Sequence, residues 1–437
     1  LVLATIRKRL VKGSLEKNFK MYHDEKWIAE ILYRGYCRVN RVNPETQLPF
    51  DEDLFLSCIS ENEVVKLTKK TINTLLNNAG RGDPDRPLEL VEHFIKSQLK
   101  GKMEAFMEPV KAGQTLATCH DLIIVLLGAL NRYMRRQTAS ERPANIFVHC
   151  GTNNEDLRVW TLRHWKDVPS VVNDYTAYDA SQKGESVAFA ERRQIRYSIP
   201  PALTSLYVWW KLSVRSDIIG QKELSRDTGE PGTYDDNSDV NLAVIGTEYD
   251  IPDNVGIVIG GDDSGINCVP EYTKLWPTFS RHLRLVAKTL VTSEPQFCSW
   301  RITSKGIFKD PMLLLLKLGY HIALGDEADV VESYAHEVSE GYRLGDVLTE
   351  YCSFQELAAM SCLLDYFHQR LRGTLVVKLF SSEYTSLSLA ALLSSVLRWL
   401  ASPPVGSGRK QLRGMESLSL RLRQRLNRGF LSSTLPR

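Results

Sequence analysis

Apolar and polar positions follow two periods along this chain, and the change from one to the other divides it. Residues 166–310 alternate short β-branched runs with polar, Gly-rich loops, the pattern of strands joined by tight turns. From 311 to 400 the apolar positions recur at helical spacing, most clearly over 313–318 and 357–371. Residues 86–165 hold two basic clusters and a helix-like apolar stretch, and residues 1–80 mix charged with apolar positions. Between them, Arg81-Gly82-Asp83-Pro84-Asp85 is a turn-rich break. No internal repeat runs through the sequence.

No apolar run reaches the roughly 18–20 residues that span a bilayer. The run over 122–130 is too short, and the one over 387–400 is interrupted by Ser394, Ser395 and Arg398. In that second run Leu389, Leu392, Leu393, Val396, Leu397 and Leu400 keep helical spacing, the pattern of a packed helix or, as the alternative, of a helix on a membrane surface.

Composition narrows the class. With 43% hydrophobic and 24% charged residues the chain is ordinarily globular. Its 437 residues suffice for two or three domains, or for one enzyme with subdomains around a shared cleft. A net charge of +3 means that any nucleic-acid partner must be met by locally focused basic residues. After Pro403 the chain turns Ser-, Gly- and Arg-rich, carrying Arg409, Lys410, Arg413, Arg421, Arg423, Arg425 and Arg428 against one acid, Glu416. The eight cysteines are scattered and include no Cys-x-x-Cys pair, which favours reduced thiols over a zinc site or a disulfide framework. The opening Leu1-Val2-Leu3-Ala4-Thr5 lacks an initiator Met and reads as part of something longer.

The candidate chemistry lies in the third region. The run over 255–269 is strand, turn, strand, with Gly260-Gly261-Asp262-Asp263 at the turn. Adjacent carboxylates on a tight turn repel each other, which makes sense if a divalent cation sits between them and another acid. Gly-Asp-Asp alone fits a surface hairpin equally well. Upstream, a strand-like run over 171–179 carries Asp174 and Asp179, five positions apart. With Asp174 beside the Asp262 turn, three carboxylates would converge, about the negative charge a two-metal phosphoryl-transfer site needs. Between these elements a Gly/Pro loop, Thr228-Gly229-Glu230-Pro231-Gly232, passes into a helix-compatible stretch. Thr233 and Asn237 share one helical face there, and Val240, Val244 and Ile245 continue inward.

The order Asp174…Asp179, Thr228-Gly229-x-x-x-Thr233-x-x-x-Asn237, Gly261-Asp262-Asp263 resembles motifs A, B and C of viral RNA-directed RNA polymerases. It is most similar to the alphavirus-like supergroup, and within it to the tymovirus- and flexivirus-like replicases (Tymovirales) of plant and fungal viruses. Phe94-Ile95-Lys96-Ser97-Gln98 with Lys111-Ala112-Gly113-Gln114-Thr115 resembles their fingers motif F. Lys288 stands where motif D puts a lysine, and Phe297-Cys298-Ser299-Trp300 followed by Gly306-Ile307-Phe308-Lys309 resembles motif E and its sequel. The resemblance covers roughly residues 80–320. Two departures stand out: the order of Glu230-Pro231-Gly232, and Ser299 where glycine is common.

The resemblance implies an α+β, right-hand palm polymerase. Fingers would occupy residues 1–165. The palm, with its antiparallel sheet, would occupy 166–310 and include a fingers insertion near 184–225. A helical thumb and the basic tail would occupy 311–437. It implies Asp174, Asp262 and Asp263 as ligands of two Mg²⁺ ions, which Mn²⁺ can replace, and Lys288 as general acid for the leaving pyrophosphate. Lys96 and Lys111 would hold the incoming triphosphate, with Asp179, Thr233 and Asn237 around the nucleotide. Gly229, Gly232 and Trp300 would meet template or primer. Arg135 and Arg136 are further candidates for template or nucleotide contact. Asp179 and Asn237 argue for ribose, since a site choosing the 2′-hydroxyl needs a polar partner there. The implied partners are RNA template and nascent RNA, ribonucleoside triphosphates, and methyltransferase and helicase domains of the same replicase. The implied location is membrane-associated replication complexes in the host cytoplasm.

Three other readings compete. Asp179 and Asn237 weigh against a DNA-using palm polymerase. The intact carboxylates weigh against an inactive RNA-binding scaffold. A metal hydrolase leaves the Thr233/Asn237 element unexplained.

Overall fold

The computed structural model describes residues 5–6, 10–68, 82–95, 115–371 and 379–380. Lys96, Lys111, the 387–400 run and the basic tail lie outside the described residues.

A five-stranded sheet organises the molecule. Its strands lie in the order Ala287–Thr292, Ser170–Tyr175, Asp263–Ile266, Ile257–Gly260, Ile146–Val148. Four strands pair antiparallel, and Ile146–Val148 adds to Ile257–Gly260 in parallel. The sheet thus takes a strand from the region the sequence reads as fingers. Along Ser170–Tyr175, period-two alternation buries Val171, Asn173 and Tyr175 and turns Asp174 to the open side. Val258, Ile259 and Ile266 are fully buried, so the hairpin carrying the paired aspartates is rooted in the core.

The region read as strands and loops also contains much helix: Gly184–Arg196, Pro201–Ser213 and Thr233–Glu248. The Thr233–Glu248 helix is buried on every side from Asp236 onward, whereas its sequence predicts one inward face. The reason is its place between the Ile257–Gly260 strand and the N-terminal helix Lys26–Asn40. Those two helices approach at glycines. A Cβ on Gly246 would stand 2.2 Å from the Gly35 carbonyl oxygen, and one on Gly35 would stand 2.1 Å from Thr247 Oγ1. The helix Lys26–Asn40, in a region whose sequence shows no clear chemistry, therefore builds the support of the central helix.

Buried ion pairs tie the 184–225 segment to this support. Arg193 reaches Asp239 at 2.6 Å, and Arg196 reaches Glu141 at 2.6 Å and the Asn43 carbonyl at 2.7 Å. A three-stranded sheet, Gln296–Phe297, Trp300–Thr303 and Gly306–Lys309, leads to the C-terminal helices Pro311–Leu324, Val331–Arg343 and Phe354–Arg370. These bury their own cluster, including Leu314, Leu318, Val338, Leu357, Leu363 and Phe367. Asp310 caps the first helix through Met312 and Leu313 N–H, and Ser353 with Glu356 closes a capping box on the last.

Candidate active site

Gly260 and Asp263 are the last pair of the central hairpin, leaving Gly261 and Asp262 as its two-residue tip. Gly261 sits at φ +66°, a left-handed conformation that costs a side-chain-bearing residue but not glycine. The tip is held by the central helix. Ser238 Oγ accepts from Gly261 N–H at 2.9 Å, and Asn241 Nδ2 donates to the carbonyls of Gly261 at 3.1 Å and Asp262 at 3.0 Å. Tyr175 Oη, one residue past Asp174, donates to Asn241 Oδ1 at 3.3 Å. Buried Asn241 therefore couples the Asp174 strand to the Asp262 turn. The sequence reading missed Ser238 and Asn241. The signal was available, because Asn241 continues the Thr233, Asn237 spacing by one more helical turn.

Asp174 and Asp262 are exposed, and Asp263 is partly covered. Burial, then the charge of Asp262, then that of Asp174, pushes the Asp263 carboxyl up to about 6. The three acids are thus near enough to feel one another, a donor set that suits a divalent cation. Among the described residues no three His, Cys, Asp or Glu side chains stand preassembled around one ion. In this arrangement the cation beside Asp174 is Lys288, whose Nζ is 3.4 Å from Asp174 Oδ2. The turn Cys298-Ser299 lies near Asp263, where Cys298 holds the upward shift of the carboxyl in check.

The second acid of the Asp174…Asp179 pair belongs to a different group. Asp179 Oδ1 accepts from Asn237 Nδ2 at 2.7 Å, and Oδ2 accepts from Thr228 Oγ1 at 2.9 Å. Asp179, Thr228 and Asn237 form one cluster, in which Thr228 stands where the sequence reading put Thr233. Thr233 instead turns its hydroxyl to the carbonyls of Asp227 at 2.8 Å and Glu230 at 3.0 Å, closing the loop before the helix.

The sequence model of a family described as RNA dependent RNA polymerase matches residues 3–368. The chain belongs to this RNA dependent RNA polymerase family. It is 37% identical over 369 residues to the non-structural replication polyprotein of Erysimum latent virus, covering 84% of this chain and 21% of that protein. It is 36% identical over 403 residues to that of Turnip yellow mosaic virus, covering 92% and 22%, and 33% identical over 355 residues to the RNA replication protein of Potato virus X (strain HB), covering 80% and 24%. The chain thus spans about a fifth of the length of the curated relatives it matches. The crystal structure of an insertion-loop deletion mutant of the RNA-dependent RNA polymerase of a human picobirnavirus aligns at TM-score 0.46 and 13% identity, over 79% of this chain and 80% of that one.

Several polymerase residues named from sequence sit elsewhere than the resemblance implies. Trp300 is only 3% exposed and packs with Phe147, Leu157 and Phe297, its ring facing Lys309, so its side chain offers RNA no surface. Gly229 and Gly232 answer to contacts within the chain. A Cβ on Gly229 would stand 2.8 Å from the Ala117 carbonyl oxygen, and one on Gly232 would stand 2.2 Å from the Asn131 amide. Arg135 is held by Asp235 through contacts of 2.8 and 3.0 Å, and Arg136 by Glu61 at 2.7 and 2.9 Å. Both guanidinium groups are engaged by carboxylates of the protein itself. Membership in the family implies dependence on a divalent metal, with RNA and nucleotides as substrates.

Proposed function

We propose that this chain is the polymerase segment of a plant- or fungus-virus replicase and adds ribonucleotides to an RNA 3′ end as directed by an RNA template. The observation that carries the reading is the convergence of Asp174 with Asp262 and Asp263 on one end of the sheet. Asp174, Asp262 and Asp263 would hold two Mg²⁺ ions, or Mn²⁺ in their place. Such ions, when bound, lower the pKa of the primer 3′-hydroxyl and neutralise charge on the transferred phosphate.

The protein's own groups do the rest. Lys288, across the strand pair from Asp174, would hand a proton to the leaving pyrophosphate. Asp179, an acceptor-only group when ionised, faces the ribose with Asn237 and selects the 2′-hydroxyl. A deoxyribose would forgo the hydrogen bonds that a 2′-hydroxyl makes with these groups. Lys96 and Lys111 would neutralise the triphosphate. Methyltransferase and helicase segments would lie in the rest of the replicase, and the assembly would work on host membranes in the cytoplasm. Among the described residues no helix is long and apolar enough to cross a membrane.

Primer extension on an RNA template with four ribonucleoside triphosphates and Mg²⁺ or Mn²⁺, run beside Asp262→Ala, tests the reading. Template-dependent product from the parent alone supports it. Equal product from both proteins would remove the site assignment.

A further inference from the structure

A buried chain of one-way hydrogen bonds runs into the Asp179 cluster from behind. Arg226 Nε donates to Gln182 Oε1 at 3.0 Å, Gln182 Nε2 donates to Asn237 Oδ1 at 2.7 Å, and Asn237 Nδ2 donates to Asp179 Oδ1 at 2.7 Å. Gln182 is 1% exposed and Arg226 is 4% exposed, so water does not scramble the pattern. Asp236 holds the Arg226 guanidinium at 2.8 Å and Glu230 at 3.4 Å, and the Arg226 backbone N–H donates to the Asp179 carbonyl at 3.1 Å.

The direction of this chain follows from chemistry. A guanidinium can only donate, so the end of Gln182 facing Arg226 must be its oxygen. The other end of Gln182 is then an NH₂ group, which can only donate, so Asn237 must present its oxygen to it. That leaves the Asn237 NH₂ facing Asp179, whose carboxylate can only accept. An amide free to rotate about its last torsion has two faces of similar shape, and nothing in Asn237 alone chooses between them.

We propose that Gln182, aligned by Arg226, is a positioning residue for sugar selection. Together with Asp179 on the other side, it fixes which end of the Asn237 amide faces Asp179 and the ribose. The inference rests on the reading of Asp179 and Asn237 as the ribose-facing pair. With the relay intact, Asn237 offers donors and Asp179 offers acceptors, the pairing a hydroxyl needs to both donate and accept. With the amide reversed, two oxygens face each other and the hydroxyl loses its donor partner.

Gln182→Glu tests this with little change of shape. The new carboxylate still accepts from Arg226 but cannot donate to Asn237 Oδ1, so the Asn237 amide, now between two acceptors, is no longer held in one orientation. The measurement is the ratio of kcat/KM for a ribonucleoside triphosphate to that for its 2′-deoxy analogue on one primed RNA template, beside a thermal melt. The expected result is a ratio lowered by about tenfold or more in a protein that still melts cooperatively. In an Asn237→Ala background the same Gln182→Glu change should lower the ratio no further. That double variant separates amide orientation from general damage around Gln182. An unchanged ratio in Gln182→Glu, or an equal drop in both backgrounds, would overturn the relay while leaving the polymerase reading intact. A parent that used ribo- and deoxyribonucleotides equally would sink the ribose reading and the relay with it.

Discussion

Lys288 and Asp174 stand directly opposite each other on adjacent antiparallel strands, with Nζ 3.4 Å from Oδ2. Both side chains are more than half exposed, at 63% and 52%, so the pair contributes little to stability. Its weight is in placing an ammonium beside a carboxylate at the catalytic edge. Lys288→Ala should lower kcat by about 10²-fold or more with an unchanged melting temperature. Lys288→Arg keeps the charge but holds its proton too tightly to act as a general acid, so it should recover little of the loss. Full recovery in the arginine variant, in single-turnover extension, would reduce Lys288 to a charge partner of Asp174.

Asn241 predicts a stability effect as well as a catalytic one. Its amide satisfies two carbonyls of the aspartate turn and receives the Tyr175 hydroxyl, all away from solvent. Asn241→Ala should cost about 1–3 kcal/mol, because buried polar groups lose their partners. Extension activity should fall with it, as the turn loosens relative to Asp174. Chemical denaturation beside primer extension checks both. A stable variant at full activity would show that the hairpin holds its own shape.

The acidity of Asp263 gives a pH dependence with a defined sign. Burial first, then Asp262, then Asp174, pushes its carboxyl up to about 6, whereas an unfolded Asp titrates near ~3.9. The folded metal-free protein therefore holds that proton more tightly. The stabilisation is full below about pH 4 and lost as pH rises through the folded value. Asp263→Asn should raise the melting temperature of the metal-free protein at neutral pH, and the gain should close toward acid. Cation binding competes with the same proton, so calorimetric affinity for Mg²⁺ or Mn²⁺ should weaken as pH falls through that range. A flat melting difference across pH would remove this account.

The turn behind Asp263 carries strain that one substitution can relieve. Cys298 at φ +48° and Ser299 at φ +65° join the Phe297–Trp300 pair, both left-handed without being glycine. Ser299→Gly should stabilise the protein by about 0.5–1 kcal/mol, read from denaturant midpoints. A loss of stability instead would mean that the serine hydroxyl holds the turn.

The chemistry of this protein was legible in its sequence because metal binding and turn formation demand particular residue types at short range. The spacing around Asp174, Thr228 and Asn237, and the glycine before Asp262, are local requirements. They singled out Asp174, Asp262 and Asp263, which the fold brings to one end of the sheet, and paired Asp179 with Asn237, but not with Thr228. The helical C-terminal part was equally readable from its apolar period. Tertiary structure alone decided what surrounds those residues. The burial of the Thr233–Glu248 helix on every side depends on Gly35 of the N-terminal helix, 211 positions from Gly246. The engagement of Arg135 by Asp235 and the burial of Trp300 required three-dimensional neighbours that no local pattern announces. The same is true of the Arg226–Gln182–Asn237 chain, whose members come from three segments. Local pattern states what a residue can do, and packing between distant segments determines which of its hydrogen bonds are already taken.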